Sequence, residues 1–130
     1  MRILQPEGWP RPRGYSNGIE AEGRMVFVAG QIGWDETEKF RAGDFGGQFR
    51  QALANTLAVL KEASAGPEHV VRMTWFITSR EEYMSSLPAL GAAWKELMGR
   101  NYPTMAVIIV AGLIEPEARI EIETTAVVPH

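Results

Sequence analysis

The chain has 130 residues, of which 45% are hydrophobic and 22% charged, a balance typical of one globular domain and not of disordered, collagen-like or coiled-coil chains. Its formal net charge is −3 and its 13 Lys and Arg residues are scattered along the sequence, so we expect no nucleic-acid partner. The absence of cysteine excludes disulfides, thiolate nucleophiles and Cys-ligated zinc.

Neither the histidines nor the apolar runs suggest a metal or a membrane. His69 and His130 lie far apart in the sequence and lack partners at metal-ligand spacing, so we predict no metal and no cofactor. No stretch approaches the roughly 18 apolar residues of a membrane span, and residues 1–13 lack the apolar core of a signal peptide. We therefore expect no membrane partner and a cytoplasmic location.

The N-terminal part of the chain predicts an extended arm, a β-hairpin and a long loop. Residues 1–13 contain three prolines, which remove hydrogen-bond donors and favour extended backbone. Residues 15–20 and 24–29 flank a Glu-Gly pair, so we predict that they form a hairpin with the glycine at positive φ. Residues 30–47 show no sustained period, which predicts a loop, and loops of this length are often functional.

Two helices and a strand follow. Apolar residues at three- and four-residue spacing predict an amphipathic helix over residues 49–63, and the β-branched and aromatic content of residues 70–78 predicts a strand. Ser79 and Glu82 form a capping-box pattern for a second helix. The apolar stripe of that helix contains Tyr83, Leu87, Leu90, Trp94 and Leu97. Pro88 lies inside this stripe and predicts either a kink or a break that restarts the helix.

Residues 104–111 and 118–127 predict the last two strands, so the chain is an α+β domain over residues 1–130 with the order ββαβαββ. Two helices cover only one face of a five-stranded sheet. In the last strand isoleucines alternate with glutamates, which gives the other face a mixed apolar and acidic character. Such a face is more typical of a subunit interface than of a solvated surface, so we predict oligomerisation of undetermined order.

Six segments in a characteristic order resemble the Rid (reactive intermediate deaminase), or YjgF-like, family. In chain order these segments read RGYSNGI, VFVAGQIG, QALANTLAVLKEA, VVRMTWFIT, YPTM and ARIEIE. The resemblance implies a chorismate-mutase-like ββαβαββ subunit, a homotrimer with a central barrel and outer helices, and small-metabolite clefts between subunits. Characterised members hydrolyse reactive enamines and imines such as 2-aminoacrylate, some relatives act on 2-aminomuconate, and older names call members endoribonucleases or translation inhibitors.

Met105 is the main departure from the pattern of these deaminases. They hold the substrate carboxylate with an arginine in the pattern Pro-x-Arg, whereas this chain has Pro103, Thr104 and Met105. A guanidinium makes bidentate, charge-assisted hydrogen bonds to a carboxylate, and a thioether makes none. The alternative is that Met105 serves only to pack an interface.

Glu121 matches the carboxylate that the resemblance implies orients or deprotonates the attacking water. The alternative is a cross-strand ion pair with Arg72 or Arg119. Glu123 shares its sheet face and is the natural control for Glu121.

Four further residues are substrate-binding candidates. Tyr15 matches a family tyrosine contributed from the neighbouring subunit, and Gly30 matches a glycine whose backbone amide contacts the ligand carboxylate. Val107 stands where the resemblance implies a backbone carbonyl that accepts from the amine. Trp34 follows the GQIG turn in a loop predicted to border the cleft, although a buried Trp is the more common case.

Met105 in place of the arginine predicts a less polar pocket that takes a ligand other than 2-aminoacrylate. The leading hypothesis is an enzyme that hydrolyses an imine or enamine. A trimer that binds a metabolite without catalysis is the rival. Ribonuclease activity is a third and less well supported hypothesis, because no histidine or lysine group converges for phosphodiester cleavage.

Overall fold

A computed structural model describes residues 1–130, which form six strands and three α-helices. The elements in chain order are β1 (Arg2–Leu4), β2 (Gly18–Glu20), β3 (Arg24–Ile32), α1 (Phe45–Glu62), β4 (Val70–Ile77), α2 (Arg80–Ser85), α3 (Leu87–Leu97), β5 (Thr104–Ile109) and β6 (Ile120–Val128). A short 3₁₀ turn at Pro67–His69 leads into β4.

The main sheet has four strands in the order β3-β6-β4-β5. Strand β6 runs antiparallel to both of its neighbours, whereas β4 and β5 run parallel, so the sheet is mixed. Helix α1 packs on β3 and β6 and also contacts α3, which places the helices on one face. The predicted α+β class with helices on one face is confirmed, but the predicted fifth strand is absent from this sheet.

The missing strand belongs to a separate two-stranded ribbon. Strand β2 pairs antiparallel with β1, with Arg2 opposite Glu20, and makes no ladder with β3. The predicted pairing of the hairpin is therefore wrong. The extended arm also folds back, because Gln5 Nε2 donates to the carbonyls of Trp9 and Pro10 at 3.2 Å and so fixes the proline-rich turn.

Gly23 has the positive φ expected of the turn before β3, at +148°. A Cβ at this position would lie 2.1 Å from the carbonyl oxygen of Val128 on the adjacent β6. Only glycine fits between these two backbones, although β2 does not pair with β3.

Helix α1 starts four residues before the predicted beginning of its apolar stripe. Asp44 caps it, accepting a hydrogen bond from the backbone N–H of Gly47 at 3.2 Å. Phe45 is buried, one turn before Phe49. The two glycines in the first turn have low helix propensity, so the sequence pattern does not reveal this start. One of them, Gly46, allows α3 to approach closely at Ala89.

The second predicted helix is broken, which confirms one of the two alternatives set by Pro88. Ser79 caps α2 by accepting from the backbone N–H of Glu82 at 3.1 Å, as the capping pattern predicts. The chain leaves the helix at Ser86 and restarts at Leu87, with Pro88 in the first turn, where no N–H is needed.

The core lies between the helices and one face of the main sheet. Its fully buried large side chains include Phe49, Leu53, Leu60, Met73, Ile77, Ile120 and Ile122. The opposite face, called here the open face, carries apolar side chains without a cover. Phe27 is 71% exposed, Met25 61% and Ile108 44%. The observed sheet therefore has the uncovered apolar face that the count of helices predicts.

Candidate functional site

The strand register divides the predicted site residues between the two faces of the sheet. Trp75 on β4 lies opposite Val107 on β5 and Ile122 on β6, whereas Phe76 lies opposite Ile108 and Glu121. Paired residues share a face and successive residues alternate. Val107, and with it Met105 two residues before, therefore faces the helices, and Glu121 belongs to the open face.

The helix-side residues line a cleft of about 520 Å³ between β5, α3 and the segment before β2, called here the helix-side cleft. Its walls include the aromatic residues Trp75, Tyr83, Trp94 and Tyr102. The Trp94 and Tyr102 rings stack with a ring-centroid distance of 6.3 Å and an interplanar angle of 11°. Met105 and Val107 complete the wall on the strand side.

Tyr15 is brought to this cleft by the segment before β2. The Ser16 N–H donates to the Pro103 carbonyl at 3.0 Å, and the Ser16 hydroxyl donates to the Tyr102 carbonyl at 2.5 Å. Ser16 also forms a parallel bridge with Thr104 at the start of β5. These contacts place Tyr15, which is 41% exposed, in the same cleft as Met105 of its own chain.

Glu121 and Gly30 form a second cluster, called here the Glu121–Gly30 pair. A Cβ at Gly30 would lie 2.4 Å from Glu121 Oε2, so the carboxylate lies directly over the Gly30 backbone. Glu121 makes no hydrogen bond or ion pair, while Arg119 pairs with Glu82 and Arg72 forms no ion pair. The alternative role of Glu121 in a cross-strand ion pair is wrong within this chain, and its carboxylate remains free.

Trp34 lies outside the helix-side cleft. Its ring packs on Phe40 with centroids 5.9 Å apart, and its carbonyl accepts from Asn55 Nδ2 at 2.7 Å. The structure therefore does not bring Trp34 together with Tyr15 and Met105.

The predicted loop is shorter than expected, because β3 continues to Ile32 and α1 begins at Phe45. Asp35 organises it: its carboxylate accepts from the Thr37 hydroxyl at 2.6 Å and from Arg41 Nε at 2.7 Å. These hydrogen bonds, Thr37 first and then Arg41, hold the pKa of Asp35 far below its ordinary value. The loop is thus a folded turn beside the sheet.

Comparison with known proteins assigns the family. The sequence model of the family described as Endoribonuclease L-PSP matches residues 10–128. This chain belongs to that family, also known as the Rid or YjgF-like family. Such a match covers almost the whole chain, including every strand of the main sheet and both clusters described above.

Several relatives of this Rid protein cover nearly its full length. A RutC family protein from Pyrococcus horikoshii is 31% identical over 126 residues, or 95% of each chain. The putative reactive intermediate deaminase TdcF from Escherichia coli is 29% identical over 131 residues, covering 97% of this chain and 96% of TdcF.

Solved structures show the same fold. A Rid-family protein of unknown function from Yersinia pestis, YyfB, superposes with a TM-score of 0.85 at 32% identity, covering 98% of both chains. Escherichia coli TdcF with bound serine gives a TM-score of 0.68 at 28% identity, covering 98% of this chain and 99% of TdcF.

The sequence prediction of the Rid site omitted most of the cleft wall. Tyr83 and Trp94 were assigned to a buried helix stripe, and the structure places them at the edge of that stripe, facing the cleft. Tyr83 lies on α2 and Trp94 on α3, and because the helix breaks between them, their sequence spacing does not reveal a shared face. Arg13 and Arg100 also line the cleft, but they come from loops distant in sequence, so no local pattern reveals them.

No group of three or more His, Asp or Glu residues in this Rid protein is close enough to hold a metal ion. His69 has a local role, since its Nδ1 accepts from the Gly66 N–H at 2.9 Å in the turn before β4. None of its helices is long and apolar enough to span a bilayer.

Proposed function

We propose that this Rid protein is a homotrimeric hydrolase that releases ammonia from an imine or enamine of a small metabolite. Its relative TdcF carries the name of a putative reactive intermediate deaminase, and a TdcF structure contains bound serine. Both observations support a small-molecule substrate for this chain, and the geometry of its two residue clusters supports where that substrate binds.

The observation that carries the proposal is that one chain holds two separate half-sites. The helix-side cleft contains Tyr15, Met105 and Val107, while the Glu121–Gly30 pair lies on the opposite face of the sheet. Neither half encloses a substrate by itself. If the open faces of neighbouring subunits pack together, the Glu121–Gly30 pair of one subunit can complete the helix-side cleft of the next.

The apolar character of the open face supports this assembly. Met25, Phe27 and Ile108 expose about half or more of their side chains in the free chain. Burying apolar area contributes roughly 25 cal/mol per Å², so covering these side chains favours association. A homotrimer would bury the open face of every subunit and create three equivalent clefts.

In the proposed reaction, water adds to the carbon of the C=N bond while Glu121 accepts a proton from that water. Glu121 returns this proton to nitrogen, which gives a neutral carbinolamine. A second proton then passes from the carbinolamine hydroxyl to nitrogen through Glu121, the C–N bond breaks, and ammonia and a carbonyl compound leave. Glu121 suits this role because its carboxylate has no competing partner in the chain. Val107 lies on the edge strand β5, where the proposal assigns its backbone carbonyl to the substrate nitrogen.

Met105 sets the expected preference among substrates. A thioether cannot pair with the carboxylate of a small substrate such as 2-aminoacrylate, and the surrounding wall is aromatic. We therefore propose that 2-aminoacrylate is a poor substrate and that a larger molecule is preferred.

The test is an assay in which an amino-acid oxidase generates imines from varied amino acids and the purified protein is added to accelerate their loss. Glu121→Gln should lower the rate by about 10²- to 10⁴-fold, the usual contribution of a general base. Glu123→Gln, a matched change on the same strand, should keep activity. Binding of these compounds without hydrolysis of any of them would instead support the non-catalytic trimer.

A further inference from the structure

The helix-side cleft has an uneven charge distribution. Arg13, Lys95 and Arg100 line it, and no Asp or Glu does. None of these three cations forms an ion pair or hydrogen bond within the chain, although other arginines such as Arg50 do. Three unpaired cations beside one cleft attract an anion, because no carboxylate of the chain neutralises them.

The cleft also has a polarity gradient from its inner to its outer end. Trp75 and Trp94 are each only 8% exposed and form an aromatic inner wall, with Met105 half-buried beside them. Arg13 and Arg100 are exposed and lie at the outer end. A ligand that matches this gradient has an apolar or aromatic body and an anionic group at one end.

The cleft has room for a ligand larger than a three-carbon acid. At about 520 Å³ it lies within the range of roughly 300–1000 Å³ that is typical of sites for drug-sized ligands. In a 2-imino acid the carboxylate is attached to the C=N carbon. Placing that carboxylate at the outer cations therefore directs the side chain toward the aromatic inner wall.

We infer that Arg13 and Arg100 bind the substrate carboxylate in place of the arginine missing at Met105, and thereby select imino acids with a large apolar or aromatic side chain. This inference rests on the proposed function for its reaction, but the recognition is independent of catalysis. Arg13 stands immediately before the Gly14 turn, which has φ +80° and delivers Tyr15 to the same cleft. Arg100 follows Gly99, which has φ +64° at the end of α3.

Calorimetric titration of the full chain with phenylacetate, phenylacetamide and acetate tests the recognition without turnover. Phenylacetate has both the aromatic body and the anion, whereas each of the other two lacks one. We expect phenylacetate to bind at least tenfold more tightly than either. The double variant Arg13→Gln/Arg100→Gln should lose roughly tenfold of that affinity, equivalent to about 1.4 kcal/mol. Arg80→Gln, an exposed arginine without an ion pair outside the cleft, should change nothing.

Equal binding of phenylacetate and phenylacetamide, unchanged affinity in the double variant, or no binding of phenylacetate up to roughly 10 mM would each overturn the inference. The oxidase assay separates this failure from that of the proposed function. Hydrolysis that is unchanged in the double variant would support a deaminase whose substrate carboxylate contacts other residues. Arginine-dependent binding of phenylacetate without hydrolysis of any imine would keep the recognition and reject the enzyme.

Discussion

Met105→Arg should shift the substrate preference of the cleft toward a small anionic substrate. Met105 is half-buried on the helix-side face, where it packs against the core and lines the same cleft as Tyr15 and Val107. An arginine at this position would place a guanidinium at the inner end of the cleft. The only cations at the cleft now lie on its exposed outer side, so a short ligand such as 2-aminoacrylate lacks an inner partner.

The magnitude follows from two charge-assisted hydrogen bonds. At about 1.5 to 3 kcal/mol each, two such bonds contribute about 3 to 6 kcal/mol, which corresponds to roughly 10²- to 10⁴-fold in kcat/KM for 2-aminoacrylate. Replacing a half-buried methionine in a cleft that already holds three unpaired cations should cost about 1 kcal/mol of folding stability. The variant should therefore fold, with a small decrease in Tm.

Steady-state hydrolysis of 2-aminoacrylate by the wild type, Met105→Arg and Met105→Lys measures this gain. Lysine supplies a point charge without the planar fork, so its gain should be smaller. Glu121→Gln in the arginine background should abolish the gain and Glu123→Gln should retain it. A folded, oligomeric Met105→Arg protein with no gain would refute the expectation that an arginine at position 105 reaches the carboxylate of 2-aminoacrylate.

Three further changes test the remaining parts of the structure. Gly30→Ala should lower imine hydrolysis by at least tenfold with little loss of Tm, because its Cβ would meet the Glu121 side chain and displace the carboxylate; unchanged turnover would mean that this contact is irrelevant. Phe27→Glu should shift sedimentation equilibrium toward monomer, whereas Val59→Glu on α1 should not, and a stable trimer of the first variant would place the interface elsewhere. Asp35→Asn should lower the urea midpoint at pH 7. Because the pKa of Asp35 is depressed in the folded state, its contribution to stability is present above about pH 4 and is lost as the pH falls. The difference in urea midpoint between wild type and variant should therefore narrow in acid.

Much of the secondary structure follows from local patterns in the sequence. The N-cap of α2 at Ser79 and the break before Pro88 were predictable because capping and the missing proline N–H act within one turn of the chain. The start of α1 was not, because two glycines in its first turn are poor helix formers that Asp44 and the burial of Phe45 override.

The candidate site was likewise only partly predictable from the sequence. The resemblance to the Rid family identified Glu121, Tyr15 and Met105, and the lack of an arginine at position 105 is a fact of the sequence. Their positions relative to one another depend on strand register, a non-local property. A one-residue slip of β6 would move Glu121 to the helix side.

The sequence by itself therefore determined the α+β class, the main helices and strands, and an uncovered apolar sheet face, because these depend on periodicity and composition. Only the tertiary structure decided that β2 pairs with β1, that the site is split between two faces of the sheet, and that Arg13 and Arg100 meet at one cleft. The physical reason is that these features depend on contacts between segments far apart in the chain, which are settled by packing and register and leave no local signature.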